Sequence, residues 1–307
     1  MTADAAPRVS IVIPAYNSAL FIEKTLDTVR DQTLKDFEIV VTDDGSTDGT
    51  QAIVESFLER RKLRGRCIRQ ENKKIAAARN TAMRSSRGEF IAFLDHDDLW
   101  YPEKLDVVLN EFQKHPEADL VCHSENITRD GKILRVAHYG PWVPDMYERL
   151  LLEGNALSPS ATVVRREKAF SVGGFREDPR FNTVEDYDYW MRLSKAATFR
   201  FIDCVLGEYQ VVDRAASRRV EYHYANLEAL LRDHFADYFG EDPSFFDRLR
   251  MRRRFSSMYR AALSQLAQYR EAPEKQREYA LKMLRTFPFD LKNLAKAALW
   301  LAREVNR

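Results

Sequence analysis

The chain has no strong charge of either sign. Its 48 Lys and Arg against 47 Asp and Glu leave a net charge of +1. No global field draws it to nucleic acid, and no nucleic-acid partner is expected. Cysteine is scarce and odd in number: Cys67, Cys122 and Cys204 lie far apart. That spacing excludes a zinc ligand set and argues against a disulfide framework. The three are expected as buried strand or core thiols, which suits a reducing compartment. No window approaches the ~20 apolar residues that a membrane-spanning helix needs. The opening MTADAAPRVSIVIP has no basic region before a long apolar stretch, so no signal peptide is expected. Fixed-period repeats and low-complexity tracts are absent. Neither G-x-x-x-x-G-K-[ST] nor G-x-G-x-x-G occurs, which removes kinase-like P-loop and dinucleotide readings. What remains is an ordinary globular composition, 45% hydrophobic and 31% charged, over 307 residues that can bury a sizeable core.

The first half alternates short apolar runs with helical patterns. Val9 to Ile13, ended by Pro14, is expected as a buried strand. Phe21, Ile22, Leu26 and Val29 follow at helical spacing. Phe37 to Val41 is a second strand running into Thr42-Asp43-Asp44-Gly45-Ser46, with Ser46 or Asp48 available to cap the next helix. Arg66 to Arg69 is a third strand, Ile75 to Met83 an alanine-rich helix, and Phe90 to Leu94 a fourth strand. A helix after Pro102 and a fifth strand, Asp119 to Cys122, complete the series. Strands alternating with helices imply parallel pairing and an α/β layer structure, in which ligands gather at the carboxyl ends of strands. Further short strands are expected at Ala161–Val164 and Phe199–Ile202, with a turn at Gly173-Gly174. From about residue 217 glycine nearly vanishes, and apolar positions such as Leu227, Leu230, Leu231, Leu249, Phe255, Met258 and Ala262 read as helices broken at Pro243, Pro273 and Pro288.

Asp95-His96-Asp97-Asp98 places three carboxylates at a strand end. Like charges this close repel unless a cation neutralises them, and a few hard oxygens suit Mg²⁺ or Mn²⁺ shared with a diphosphate. The plainer reading makes Asp98 the cap of the helix after Pro102. Asp43 and Asp44 form a second acidic site, able to accept from a base N–H, with Gly45 allowing a tight turn. An Asx turn with a helix cap explains them equally well. A calcium loop is disfavoured, because no glutamate stands at its twelfth position. Tyr16, after Pro14, could stack on a nucleobase for ~1–3 kcal/mol, or simply pack. Glu185-Asp186 opens a predicted helix, where acids favour the macrodipole and could equally act as a general base.

The ordered set PAYN, VTDDGSTDGT, AAARN, FLDHDDLWYPEKL, VGGF and EDYDYWMRL resembles glycosyltransferase family 2, the inverting enzymes of GT-A fold, over about residues 8–212. The resemblance implies a GT-A (Rossmann-like) domain over residues 1–216, with a mixed, mainly parallel sheet flanked by helices. Its nucleotide-binding half would be about 8–125 and its acceptor half about 126–216, followed by an all-helical region at 217–307. It implies an inverting enzyme that moves a sugar from a UDP- or dTDP-sugar to a hydroxyl of a saccharide or lipid-linked saccharide, as in bacterial polysaccharide or cell-wall synthesis. Carried over by position, Tyr16 would stack on the base and Asp44 would accept from it, with Pro14 and Asp43 beside them. Arg79 would lie by the nucleotide, Asp95 would contact ribose or a metal-bound water, and Asp97 would bind Mn²⁺ or Mg²⁺. Asp186 would be the catalytic base, and Glu185, Trp100 and Asp98 would support.

Two positions depart from the family pattern. His96 stands where another acid is common, and a solvent-facing role is expected for it. Tyr209-Gln210-Val211-Val212-Asp213-Arg214 lacks the histidine that often follows a Tyr-Arg pair, which leaves Asp213 or Arg214 as substitutes. A noncatalytic nucleotide-sugar-binding protein is the different-class alternative. A sugar nucleotidyltransferase would show a glycine-rich basic loop where Pro14-Ala15-Tyr16-Asn17 stands. The arginines Arg248, Arg250, Arg252, Arg253 and Arg254 and the terminal Leu291, Leu294, Ala298, Leu299, Trp300 and Leu301 allow peripheral contact with the inner face of a membrane or a homodimer. A solvated face and a packing face are the plainer expectation. The expected location is the cytoplasm.

Overall fold

The structure, a computed structural model, describes residues 5–211, 220–269 and 273–305. The chain divides into two compact units, Met1–Tyr147 with Asn155–Ala215, and Glu148–Gly154 with Ala216–Arg307. The first unit is built on one sheet: β1 (Val9–Ala15), β2 (Phe37–Asp43), β3 (Gly65–Arg69), β4 (Phe90–Phe93), β5 (Leu99–Trp100), β6 (Leu120–Arg129), β7 (Lys132–Ala137), β8 (Thr162–Arg165) and β9 (Phe199–Gln210). Their spatial order is β3-β2-β1-β4-β8-β6-β9-β5, with β7 paired to β6. Flanking helices are α1 (Ile22–Arg30), α2 (Thr50–Arg61), α3 (Lys74–Ser85), α4 (Lys104–Lys114), α6 (Arg166–Ser171) and α7 (Glu185–Ser194), and α5 spans Met146–Glu153.

The first four strands are parallel, as the alternating pattern predicts. β1 and β2 are buried at every residue, which is why they read as continuous apolar runs rather than alternating ones. The second half departs from strict parallel order. β8 is antiparallel to both β4 and β6, while β6 and β9 are parallel. β1 also continues past Pro14 to Ala15. β4 pairs with β1 only as far as Val12↔Phe93, so the absent N–H of Pro14 breaks no ladder bond.

The second unit contains α8 (Val220–Phe239), α9 (Phe245–Tyr269), α10 (Pro273–Thr286) and α11 (Leu291–Val305). The prolines act as expected: Pro243 precedes α9, Pro273 opens α10 where its missing N–H costs nothing, and Pro288 separates α10 from α11. Leu230, Leu231, Phe235, Met258, Leu263 and Met283 are buried, whereas Leu249, within α9 as the helical pattern predicts, is exposed. The basic stretch is largely used within this unit. Arg254 donates to Leu151 O at 3.2 Å, Arg252 to Thr286 O at 2.8 Å, Arg250 pairs with Glu148, and Arg248 with Asp242 at 3.6 Å. Four of the five arginines offered for a membrane surface therefore have protein partners. No helix among the described residues is long and apolar enough to cross a membrane. The side chains of Leu299 and Leu301, and residues Val212, Asp213 and Arg214, lie outside the described residues.

Candidate active site

The loops after β1 and β2 are tied together at the carboxyl edge of the sheet. Asn17 N donates to Ser46 Oγ at 2.9 Å, Thr47 N to Asn17 Oδ1 at 2.9 Å, and Ala19 N to Asp48 Oδ2 at 3.0 Å. Asp48 also accepts from Thr50 N at 3.1 Å, and so caps the first turn of α2. Tyr16 is 48% exposed beside this junction, free to present its ring face. Asp43 braces the loop that follows β2: Oδ1 accepts from Ser46 N, three residues on, at 3.0 Å, and Oδ2 from Arg69 at 2.9 Å. Asp44 is buried and accepts from Gln70 Nε2 at 2.7 Å, Lys73 N at 2.9 Å and Lys74 N at 2.8 Å. It thus caps the start of α3, not α2. A carboxylate has about four lone-pair sites, so three donors leave room for one more. Gly45, at φ 77°, lets the chain pass where a Cβ would sit 3.0 Å from Asn72 N.

The acidic cluster follows β4. Asp98 N donates to Asp95 O at 3.2 Å, closing a turn with Asp97 at its third position. His96 does not face solvent alone: its Nδ1 lies 3.2 Å from Pro14 O, and its carbonyl accepts from Thr25 Oγ1 at 2.9 Å. The histidine therefore ties the acidic turn to the end of β1. Asp98 is buried and is not the cap of α4. It accepts from Ser160 Oγ at 2.5 Å and Gln210 N at 2.9 Å. Burial, reinforced by Asp97, Glu125 and Asp95, pushes its carboxyl well above the usual range. Asp97 is half-buried, and burial and Asp95 raise its carboxyl against the pull of His96. Trp100, on β5, is buried and donates through Nε1 to Ser160 O at 2.8 Å.

Arg79 joins this cluster to α7. It is 2% exposed and reaches Asp95 and Glu185, each at 2.6 Å, with its guanidinium 5.4 Å from the centroid of the Phe175 ring. Burial opposes the charge, yet Asp95, Glu185 and Asp186 together hold it protonated. The next residue, Asn80, latches the predicted Gly-Gly turn: its Nδ2 donates to Phe175 O at 2.8 Å and its Oδ1 accepts from Phe175 N at 2.9 Å. Phe175 in turn stacks on Tyr189 of α7, centroids 4.2 Å apart. The ARN, VGGF and EDY segments are thus one physical unit.

Glu185 is occupied by Arg79, whereas half-buried Asp186 accepts from Asn155 Nδ2 at 3.3 Å. Burial, then the neighbouring Glu185, push the Asp186 carboxyl up to about 7 against the pull of Arg79. Just before it, Thr183 has φ 72°, a costly conformation for a β-branched residue. Tyr209, near the end of β9, feels Asp98, Asp97, Asp95 and Asp186 together, and these with burial raise its hydroxyl. Strand β9 runs to Gln210, well beyond the Phe199–Ile202 expected from sequence, and this brings Tyr209 and Gln210 to the acids. Sequence reasoning missed Ser160 and Asn155, which have no motif to mark them.

Among the described residues no group of three His, Cys, Asp or Glu side chains is arranged to hold a metal unaided. The donors present, carboxylates at Asp97 and Asp95, are hard oxygens too few for a closed cage. That suits a cation completing its shell with diphosphate oxygens and water.

The model of the family described as glycosyl transferase family 2 matches residues 10–172. Chondroitin synthase of Escherichia coli is 33% identical over 204 residues, which cover 64% of this chain and only 28% of that protein. Two solved structures share the fold. TarS 1-349 of S. aureus in complex with UDP-GlcNAc gives a TM-score of 0.62 at 17% identity, covering 91% of this chain and 89% of that one. The mannosyltransferase PcManGT of Pyrobaculum calidifontis, in complex with GDP-Man and Mn²⁺, gives 0.57 at 21%, covering 97% and 85%. The chain belongs to glycosyltransferase family 2, has the GT-A fold, and spans only about a quarter of the length of the chondroitin synthase relative.

Proposed function

We propose that the protein moves a sugar from a nucleoside-diphosphate sugar, a UDP- or dTDP-sugar, to a hydroxyl of a saccharide or lipid-linked saccharide, with inversion at the anomeric carbon. The observation that carries this reading is the Arg79 bridge, which puts the acidic turn and the Glu185-Asp186 pair in one cluster. Tyr16 offers an exposed ring for stacking on the base, Asp44 keeps a lone pair for a base N–H, and Asp43 and Pro14 shape the loop between them. Asp97 would hold Mn²⁺ or Mg²⁺ and Asp95 would contact ribose or a metal-bound water, while Arg79 fixes Asp95. When bound, the cation offsets the charge on the diphosphate oxygens.

Asp186 takes the acceptor hydroxyl's proton onto a carboxylate oxygen as that hydroxyl attacks the face opposite the diphosphate. A carboxyl raised to about 7 is a stronger base than an ordinary aspartate and is still largely ionised above that pH. Glu185 stays bound to Arg79 and takes no part in proton transfer. A cytoplasmic setting accords with three free cysteines, although Cys204 is exposed rather than a core thiol. The role of the chondroitin synthase relative and the ligand in the TarS complex support a glycan acceptor and a uridine donor.

The test is a panel of UDP-, dTDP- and GDP-sugars with Mn²⁺, read by thermal shift and by release of free nucleoside diphosphate. One donor should stand out, and Asp97→Ala should lose the metal-dependent release. Nucleotide-sugar binding without turnover on any acceptor would favour a binding protein instead.

A further inference from the structure

Behind the acidic turn lies a buried assembly in which Trp100, Lys104 and Asp98 of the FLDHDDLWYPEKL segment meet Ser160, a residue outside every motif. Ser160 precedes β8 and is fully buried. Its hydroxyl touches both ends of the Asp95–Asp98 turn: Asp95 N donates to Oγ at 3.0 Å, and Oγ donates to Asp98 Oδ2 at 2.5 Å. Its carbonyl accepts from Lys104 Nζ and from Trp100 Nε1, each at 2.8 Å. Lys104, at the start of α4, is also fully buried, with Nζ 3.2 Å from the centroid of the Trp100 ring. A buried lysine is costly, since its ammonium gives up water. Burial draws it well below the ordinary lysine range. Amine and ammonium both donate to a carbonyl, so the contact does not depend on charge.

We propose that Ser160 and Lys104 are positioning residues for the metal-binding turn: Lys104 fixes the Ser160 carbonyl, and the Ser160 hydroxyl fixes the turn that presents Asp97. His96 on Pro14 O and Arg79 on Asp95 tie the turn to its surroundings, but neither contact joins its two ends. Its closing bond is 3.2 Å, and Asp97 at its third position is half-buried among like charges. Such a turn splays unless its ends are anchored. One hydroxyl that accepts from the first residue's N–H and donates to the fourth residue's carboxylate anchors both ends at once. Gln210 N, on the other carboxylate oxygen of Asp98, extends the anchor to β9.

This inference rests on the reading of Asp97 as the metal ligand, so wild type and Asp97→Ala are the reference pair. Mn²⁺ binding is measured on the full chain with UDP present, by loss of the free-ion paramagnetic signal. UDP binding without metal and thermal unfolding are measured alongside. Ser160→Ala and Lys104→Met should each weaken Mn²⁺ binding about 10-fold, within the usual range for groups that orient metal ligands. Metal-free UDP binding should stay unchanged. Because both act through one carbonyl and one turn, the double variant should bind Mn²⁺ no more weakly than the worse single variant. Lowered unfolding temperatures with Mn²⁺ affinity within about twofold of wild type would overturn the proposal, leaving only packing. Independent effects that multiply in the double variant would overturn it too. If wild type bound Mn²⁺ no better than Asp97→Ala, the metal-site reading would fail and take this inference with it.

Discussion

At the residue scale, the candidate site is a set of carboxylates held at unequal protonation. Asp186 is raised to about 7, mainly by burial and by Glu185. A base must be ionised to act, so kcat/KM should climb with pH along a limb centred near 7, and Asp186→Asn should abolish that limb. A flat profile between pH 5.5 and 8.5 would argue for another base. Arg79 belongs to the same scale. Its removal in Arg79→Met strands Asp95 and the buried Glu185 without their cation. Urea unfolding should show a loss of about 3–5 kcal/mol, the range for breaking a buried ion pair from one side. Lysine should rescue only in part, because one ammonium cannot span two carboxylates as a guanidinium fork does. The acids of this site were legible in the sequence because clustered carboxylates are expensive without a purpose. Their division of labour came only from the family resemblance, which gave Asp186 the base role and Glu185 a supporting one; the structure adds that Glu185 is taken by Arg79 while Asp186 meets Asn155.

At the scale of elements, the motifs turn out to be contacts between segments. Asn80 clamps the Phe175 backbone with both the N and the O of its amide and also donates to Glu177 at 2.8 Å. Gly174, at φ 77°, leaves room for it, because a Cβ there would sit 2.6 Å from Asn80 Oδ1. Gly174→Ala should therefore cost about 1–3 kcal/mol in equilibrium unfolding, from strain and a displaced buried amide. The parallel strands β1, β2 and β4 were legible from their continuous apolar runs. The β6–β7 hairpin was missed despite its signal, the Asp130-Gly131 pair, which takes φ 50° and 74° as a tight hairpin turn requires. The far half of β9 was missed for a different reason. Phe199 to Gln210 does not alternate: it is mostly half-buried, with Asp203 and Cys204 exposed and Leu206 and Gly207 buried. Its register on β6 also shifts twice, so no period of two marks it.

At the scale of the whole molecule, folding concentrates like charge. Asp97, Asp98, Glu185, Asp186 and Glu125 all have raised carboxyls, with Asp186 and Glu125 at about 7. The folded chain therefore binds these protons more tightly than the unfolded chain does. Their contribution to stability is full below the ordinary carboxylate range and is lost as pH rises through about 7. A cation at Asp97 competes with the protons, so the rise in unfolding temperature given by Mn²⁺ with UDP should be larger at pH 8 than at pH 5.5. An equal rise at both would mean that metal binding is not linked to these acids. The helical unit, by contrast, uses most of its arginine run on its own carbonyls and acids, a pairing that sequence spacing alone could not reveal.

The most direct test of the central claim separates donor binding from transfer in Asp186→Asn. With the nucleotide-sugar that gives the largest Mn²⁺-dependent shift, the variant should bind donor and metal within about twofold of wild type and lose transfer by about 10²–10⁴-fold, the usual contribution of a general base. Transfer at the wild-type rate by a folded, donor-bound Asp186→Asn would contradict it.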